Sequence, residues 1–165
     1  MSKMRGKMTS DLAPARATQD APNATDFVGT WRLVSFESRD STDTVVHPWG
    51  DNPQGLLVYD EHGNMAGQVT RSHRPVFASD DIRDGTTDEV RAAFDGYIAY
   101  YGTYTIDTAL STVTHHITGS LFPNWVGVDQ VRYYQLDGSR LTLATPPLLV
   151  GARALRSVLV WQRVR

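Results

Sequence analysis

From Phe27 onward the chain alternates short runs rich in Val, Thr, Tyr and Trp with clusters of turn residues. In many of these runs apolar residues recur at every second position, the spacing of a strand with one buried face. The pattern predicts strands at about 28–38, 44–47, 55–60, 64–71, 100–106, 112–118, 130–136, 140–145 and 155–164. Turn chemistry separates them at Glu61-His62-Gly63-Asn64, at Asp107 to Ser111 and at Asp137-Gly138-Ser139. The Asp-Gly pair between two alternating runs is the strongest hairpin signal among these. One segment breaks the period. Thr86-Thr87-Asp88-Glu89 has the spacing of a capping box, and Val90, Ala93, Phe94 and Tyr97 follow at helical intervals, which predicts a short helix at about 87–98. Short strands following one another with a single helix point to an all-β fold, an up-and-down antiparallel β-barrel of about eight strands.

The first 26 residues read differently. They contain no aromatic, Val or Ile residue and only one Leu, too little apolar surface to offset the entropy of ordering. The expected organisation is therefore a disordered N-terminal tail at 1–26 and one barrel domain at 27–165. Lys3, Arg5 and Lys7 resemble the start of a secretory leader, but no apolar stretch follows them, so the expected location is the cytoplasm. A net charge of −2 argues against a nucleic-acid partner, and no apolar run approaches the length of a membrane span. The chain has no cysteine, which removes disulfides, thiolate metal sites and a catalytic thiol. Oligomeric state leaves no mark on the sequence.

Strand parity selects the residues that can face a barrel interior. At Asp137-Gly138, connections of two or four residues place Gln130, Arg132, Tyr134 and Leu136 on the face of Leu141 and Leu143, the apolar members of their strand. A three-residue connection with a bulge would reverse this; with either of the others Gln130, Arg132 and Tyr134 are expected inside. In 112–118 the apolar set is Val113, His115 and Ile117, so His115 is expected inside and His116 outside. Nine of the sixteen aromatic residues fall between Phe94 and Tyr134, enough either to fill a small barrel solidly or to line an aromatic pocket. Tyr101 and Tyr104 are both ligand candidates, although their parity allows only one to face inward. Trp125, in a Pro-Asn-Trp-Val-Gly loop, is placed to cap the mouth or plug the sheet end. The loops at 72–86 and 146–151 are expected to frame an entrance.

Two of these residues carry chemistry. A buried Arg132 needs an anion or several acceptors, either a carboxylate such as Asp129 or Glu37 or a carboxylate or phenolate on a ligand. His115 is either a satisfied core histidine or a general acid and base near neutrality. Both are the catalytic candidates if the protein has turnover. Adjacent strand residues face opposite ways, so His115-His116 does not make a metal pair, and the other histidines are scattered; no metal is expected. No nucleophile elbow, dinucleotide-binding glycine pattern or phosphate loop occurs, and no cofactor is expected.

Gly29-Thr30-Trp31 at the start of the first strand resembles the Gly-x-Trp motif of lipocalins. The wider set resembles the bacterial and fungal lipocalin-like domain family over about residues 27–164. It comprises Phe27 to Phe36, the Gly55–Met65 hairpin, Ala93 to Tyr97, Tyr101 to Tyr104, Thr114-His115-His116 and Pro123 to Arg132. The resemblance implies a lipocalin-type barrel whose tryptophan packs against an arginine from the end of the chain, with Arg163 the first candidate and Arg165 the second. It also implies a protein that binds a small hydrophobic or aromatic molecule in an internal cavity. The alternative is a cofactor-independent cyclase or isomerase acting on a natural-product intermediate in the same cavity, since related barrels include both. The expected ligand-binding set is Tyr101, Tyr104, His115, Trp125, Gln130, Arg132 and Tyr134.

Overall fold

A computed structural model describes residues 23–164. Its ten strands are β1 (Gly29–Arg39), β2 (Val45–Val46), β3 (Gln54–Tyr59), β4 (Asn64–Thr70), β5 (Tyr97–Asp107), β6 (Thr112–Ser120), β7 (Asp129–Asp137), β8 (Arg140–Ala144), β9 (Leu148–Val150) and β10 (Arg153–Arg163). Eight of them pair antiparallel in the order β1, β3, β4, β5, β6, β7, β8, β10, and β10 returns to β1 to close the barrel. The short β2 and β9 extend from β1 and β10 at one end. Closure leaves the eight barrel strands no free edge along which to pair with other chains.

The expected helix is shorter than its pattern. α1 spans Thr87–Asp95, with the Thr86 and Glu89 side chains and backbones capping each other reciprocally. Gly96 ends it, and Tyr97 and Ile98 already pair with Thr70 and Val69 of β4. Ladder pairing overrides the helical spacing of Tyr97. Asn23–Asp26, grouped with the tail on composition, form a capped 3₁₀ turn at Ala24–Asp26. The tail up to residue 22, and Arg165, lie outside the described residues.

Two bulges set which side chains enter the barrel. On β1, Leu33 pairs with Trp161 and Ser35 with Val160, so Val34 is an extra residue. The extra residue reverses the parity of the rest of the strand. Phe36 and Ser38 turn inward, and Glu37 faces solvent. On β6, Gly119 pairs with Tyr101 and Ile117 with Gly102, leaving Thr118 unmatched. At this point a Cβ on Gly102 would lie 1.9 Å from the His116 carbonyl oxygen, so the strands can approach only over glycine.

One end of the barrel is packed solid. Phe27 and Trp31 are fully buried there, Phe27 stands edge-on to Tyr59 and Tyr134, and the Trp31 indole N–H donates to the Phe27 carbonyl at 2.9 Å. Arg163 closes it from outside. Its guanidinium carbon lies 4.2 Å from the centre of the Trp31 ring, and its two terminal nitrogens donate to the Val28 and Asp26 carbonyls. Gly29, two residues before Trp31 and so on the same face, adopts φ +140°, and a Cβ there would stand 2.7 Å from Arg163 Nη1. The Gly-x-Trp spacing is thus the footprint of one stacked arginine: glycine makes room for the guanidinium, and tryptophan supplies the ring beneath it.

Removing this clamp has a measurable expectation. Arg163→Met is expected to lower unfolding stability by about 2–4 kcal/mol, combining a lost cation–π contact with two lost charge-assisted hydrogen bonds. Gly29→Ala should cost about 1–3 kcal/mol through backbone strain and displacement of Arg163. Urea midpoints for both variants within error of the wild type would contradict the assignment.

Candidate functional site

The half of the barrel opposite the Trp31 end is hollow. A cavity of about 340 Å³ lies there, bounded by Phe36, Trp49, Tyr100, Trp125 and Leu159 among others, with Trp161 and Leu143 toward its floor. The walls are paired aromatics. Trp49 leans on Phe36 with ring centres 6.0 Å apart, and Trp125 stands edge-on to Tyr100 at 5.8 Å and to Phe122 at 5.9 Å. Trp125 is held over the opening by the 3₁₀ turn Pro123–Trp125, which starts on proline, and Leu148–Val150 of β9 come in from the other side.

Buried polar groups interrupt this apolar lining. His115, 1% exposed, lies between two tyrosines: its Nε2 is 2.7 Å from Tyr59 Oη and its Nδ1 is 3.2 Å from Tyr100 Oη. Burial, then the positive charge of Arg132, then His116, hold its pKa well below the ordinary histidine range. The ring is therefore neutral near pH 7, with one N–H donor and one acceptor nitrogen. Burial also pushes the Tyr59 hydroxyl well above its ordinary pKa, so Tyr59 keeps its proton. Tyr59 is sealed in the core and makes no other hydrogen bond among the described residues, so its O–H is satisfied only by donating to Nε2. That fixes the tautomer. Nδ1 carries the proton and donates to Tyr100 Oη, leaving the Tyr100 O–H for the cavity that Tyr100 lines.

Arg132 is 6% exposed and has no carboxylate within ion-pair distance among the described residues. Gln130 Oε1 sits between Nη1 and Nη2 at 3.2 Å from each, and Nη1 also donates to the Val131 carbonyl at 2.8 Å. Both expected internal partners are elsewhere. Glu37 is turned outward by the Val34 bulge, and Asp129 accepts from His116 Nδ1 on the outer face at 2.6 Å. His116 Nε2 also meets Thr105 Oγ1 at 3.0 Å, and the His116 and Asp129 side chains remain 36% and 63% exposed on the open sheet surface. A third polar group faces the cavity from β1, β10 and the end of β8: Ser38 and Ser157 hydroxyls 2.7 Å apart, with Thr145 Oγ1 accepting from the Ser157 N–H at 3.0 Å.

Of the expected binding residues, His115, Trp125 and Arg132 line the cavity. Gln130 is buried behind Arg132 and orients it. Tyr134 and Tyr104 point inward but belong to the packed end, where Tyr104 donates to the Asp60 carbonyl and its ring lies 4.6 Å from Tyr59. Tyr101 faces the other way. It is 58% exposed and lies over Gly119 on the outer sheet surface, so it is not a cavity residue. The inward tyrosine of the open half is Tyr100, which shares parity with Tyr104 and was recoverable from the same alternation. Ser157 was recoverable likewise, since it shares parity with Leu155, Leu159 and Trp161, whereas Trp49 and Ser38 carry no such signal because a loop and a bulge place them. The entrance also differs from expectation: Leu148–Val150 line it, but its other side is Pro48 and Trp49, with no residue of 72–86. Among the described residues no group of three or more His, Cys, Asp or Glu side chains is arranged to hold a metal, and no helix is long and apolar enough to cross a membrane.

A closed antiparallel barrel, solid at an arginine-clamped tryptophan end and hollow at the other, defines a lipocalin-type fold. The chain belongs to the lipocalin-like domain family, whose model matches residues 28–164. It is 33% identical, over 107 residues, to the 4'-hydroxy-3'-methoxypropiophenone carrier protein of Aspergillus oryzae; the alignment covers 61% of this chain and 96% of that protein. A solved bovine odorant-binding protein in complex with a selenium-containing odorant aligns with 92% of this chain and 78% of its own, at 13% identity and a TM-score of 0.43.

The buried neutral histidine has a pH consequence. Its native pKa is depressed, so below about pH 6.5 the unfolded chain takes up a proton that native His115 refuses, and stability falls as the pH drops. Wild type should lose up to about 1.4 kcal/mol per pH unit more than His115→Gln across that range. Parallel urea midpoints for the two proteins between pH 7 and the onset of acid unfolding would contradict the neutral-histidine assignment.

Proposed function

We propose that the cavity binds one small, largely aromatic molecule and that the protein carries it unchanged. The observation that carries this reading is a hollow of about 340 Å³ walled by Phe36, Trp49, Tyr100 and Trp125 with a few convergent polar groups. It has the composition of a small-molecule site and the lower end of its usual size, room for one ring with a short substituent. The fungal relative is named as the carrier of a hydroxylated, methoxylated aryl ketone, a molecule of that kind. Carriage is favoured over a cyclase or isomerase by the state of His115. Both ring nitrogens are engaged by tyrosines and its proton affinity is depressed, so it offers no free base to a substrate.

Titration with 4'-hydroxy-3'-methoxypropiophenone should quench tryptophan fluorescence with saturation at one equivalent, because Trp49 and Trp125 line the site. Trp125→Ala should weaken binding roughly tenfold, about 1.4 kcal/mol, the scale of one lost aromatic contact. The bound compound, extracted after prolonged incubation, should be chemically unchanged. Absence of quenching by this and other one-ring aryl ketones would remove the binding reading, and a converted product would replace carriage by catalysis.

A further inference from the structure

The hydrogen bonds of Arg132 use its guanidinium unevenly. Gln130 Oε1 occupies the end of the fork between Nη1 and Nη2, and the Val131 carbonyl takes the outer Nη1 hydrogen. A guanidinium has five N–H groups. The two left without an acceptor among the described residues are the Nε–H and the outer Nη2–H, which lie parallel on one edge. That edge is one of those on which arginine grips two oxygens at once, or one oxygen with both hydrogens. Arg132 lines the cavity, and so does Tyr100, whose hydroxyl proton is freed by the Tyr59–His115 chain. No Asp or Glu is among the lining residues to neutralise the guanidinium; the ionisable groups that line the space are Arg132, His115 and Tyr100, and Tyr59 backs His115.

We propose that the cavity takes its ligand as an oxyanion, a phenolate or a carboxylate, gripped by the Nε and Nη2 edge of Arg132 with the Tyr100 hydroxyl as a further donor. This deepens the carrier reading and rests on it. Gln130 has a positioning role, holding the far end of the guanidinium so that the open edge stays presented. His115 is also a positioning residue: as a neutral ring donating from Nδ1, it turns the Tyr100 hydroxyl into a donor. An unpaired cation in a largely apolar space favours the charged form of whatever acid enters, so a bound phenol should ionise at lower pH than it does in water.

Two pairs of probes test this. 4-Nitrophenol can ionise and 4-nitroanisole, its methyl ether, cannot, and the phenolate announces itself by its visible absorbance. 4-Nitrobenzoate and methyl 4-nitrobenzoate make the same comparison for a carboxylate. Quenching of tryptophan fluorescence reads binding for all four. The expected result is that at least one anion binds about tenfold or more tightly than its neutral partner. If the phenol is the preferred source, its bound form should titrate about one pH unit or more lower than the free compound, the same tenfold preference read as ionisation. If the carboxylate is preferred, the nitrobenzoate arm alone shows the gap. Arg132→Gln should abolish the anion preference while leaving 4-nitroanisole and the ester binding within about threefold. Should Arg132→Gln fail to fold, Tyr100→Phe, which deletes one hydroxyl from a half-buried ring, should weaken the preferred anion about three- to tenfold and spare the neutral probes. Neutral and anionic probes binding equally would overturn the oxyanion proposal and leave the carrier reading intact. Failure of all four to bind would overturn the oxyanion proposal, and the carrier reading falls with it only if the aryl ketones also fail to quench.

Discussion

The barrel depends on a closure that no local segment can make for itself. The first strand and the last, separated by more than a hundred residues, must pair, and the pairing must start in one register. The stacked Arg163 sets that register at the packed end. It reaches over Gly29 to cover Trp31 and takes two carbonyls from the turn that precedes β1. Each partner constrains the others: a side chain at position 29 would strike the guanidinium, and without the ring the cation would lose its stacking surface. With this end fixed, the Val34 bulge falls where β1 must change parity to follow β10. Ser38 enters the barrel as a consequence and meets Ser157 of β10.

The two halves divide the work of the fold. In the packed half Phe27, Trp31, Tyr59, Tyr104, Tyr134 and Leu141 fill the space between the strands, and their burial supplies the hydrophobic driving force. The open half gives up that density. It holds a hollow and a desolvated cation, neither of which stabilises a protein. A chain selected for stability alone would place an apolar residue at 132 and fill the gap. The arginine is retained with an amide to hold it and no carboxylate to cancel it, the arrangement expected of a site whose final partner arrives from outside. The neutral histidine beside it has the same logic, since a second positive charge there would repel Arg132 and lose its tyrosine partners.

Much of this was visible in the alternation of residues. Strand positions, the 137–140 hairpin, the capped helix start at Thr86 and the inward direction of Gln130, Arg132, Tyr134 and His115 follow from period-two patterning and turn chemistry, because a one-residue slip would expose a whole apolar face. The Gly-x-Trp motif and its arginine were legible only through the resemblance to lipocalins, and the structure supplies the physical reason: a side chain at position 29 would strike the Arg163 guanidinium. Tyr100 shared the inward parity of Tyr104 and needed only the same rule.

Other features were decided by the tertiary structure. Bulges are one-residue events set by the register between strands far apart in sequence, so the sequence could not show that Phe36 and Ser38 turn inward while Glu37 turns out. Depth along a strand is likewise invisible to parity: Tyr104 and Tyr134 face the interior as alternation requires, yet at a level where the barrel is solid. The end of α1 yielded to β4, whose ladder claimed Tyr97 and Ile98 against their helical spacing. The pairing of charges was also a tertiary outcome. Asp129 precedes Arg132 by three residues and looks like its partner, but a strand sends such neighbours to opposite faces, so His116 takes the carboxylate outside and Arg132 is left uncancelled within.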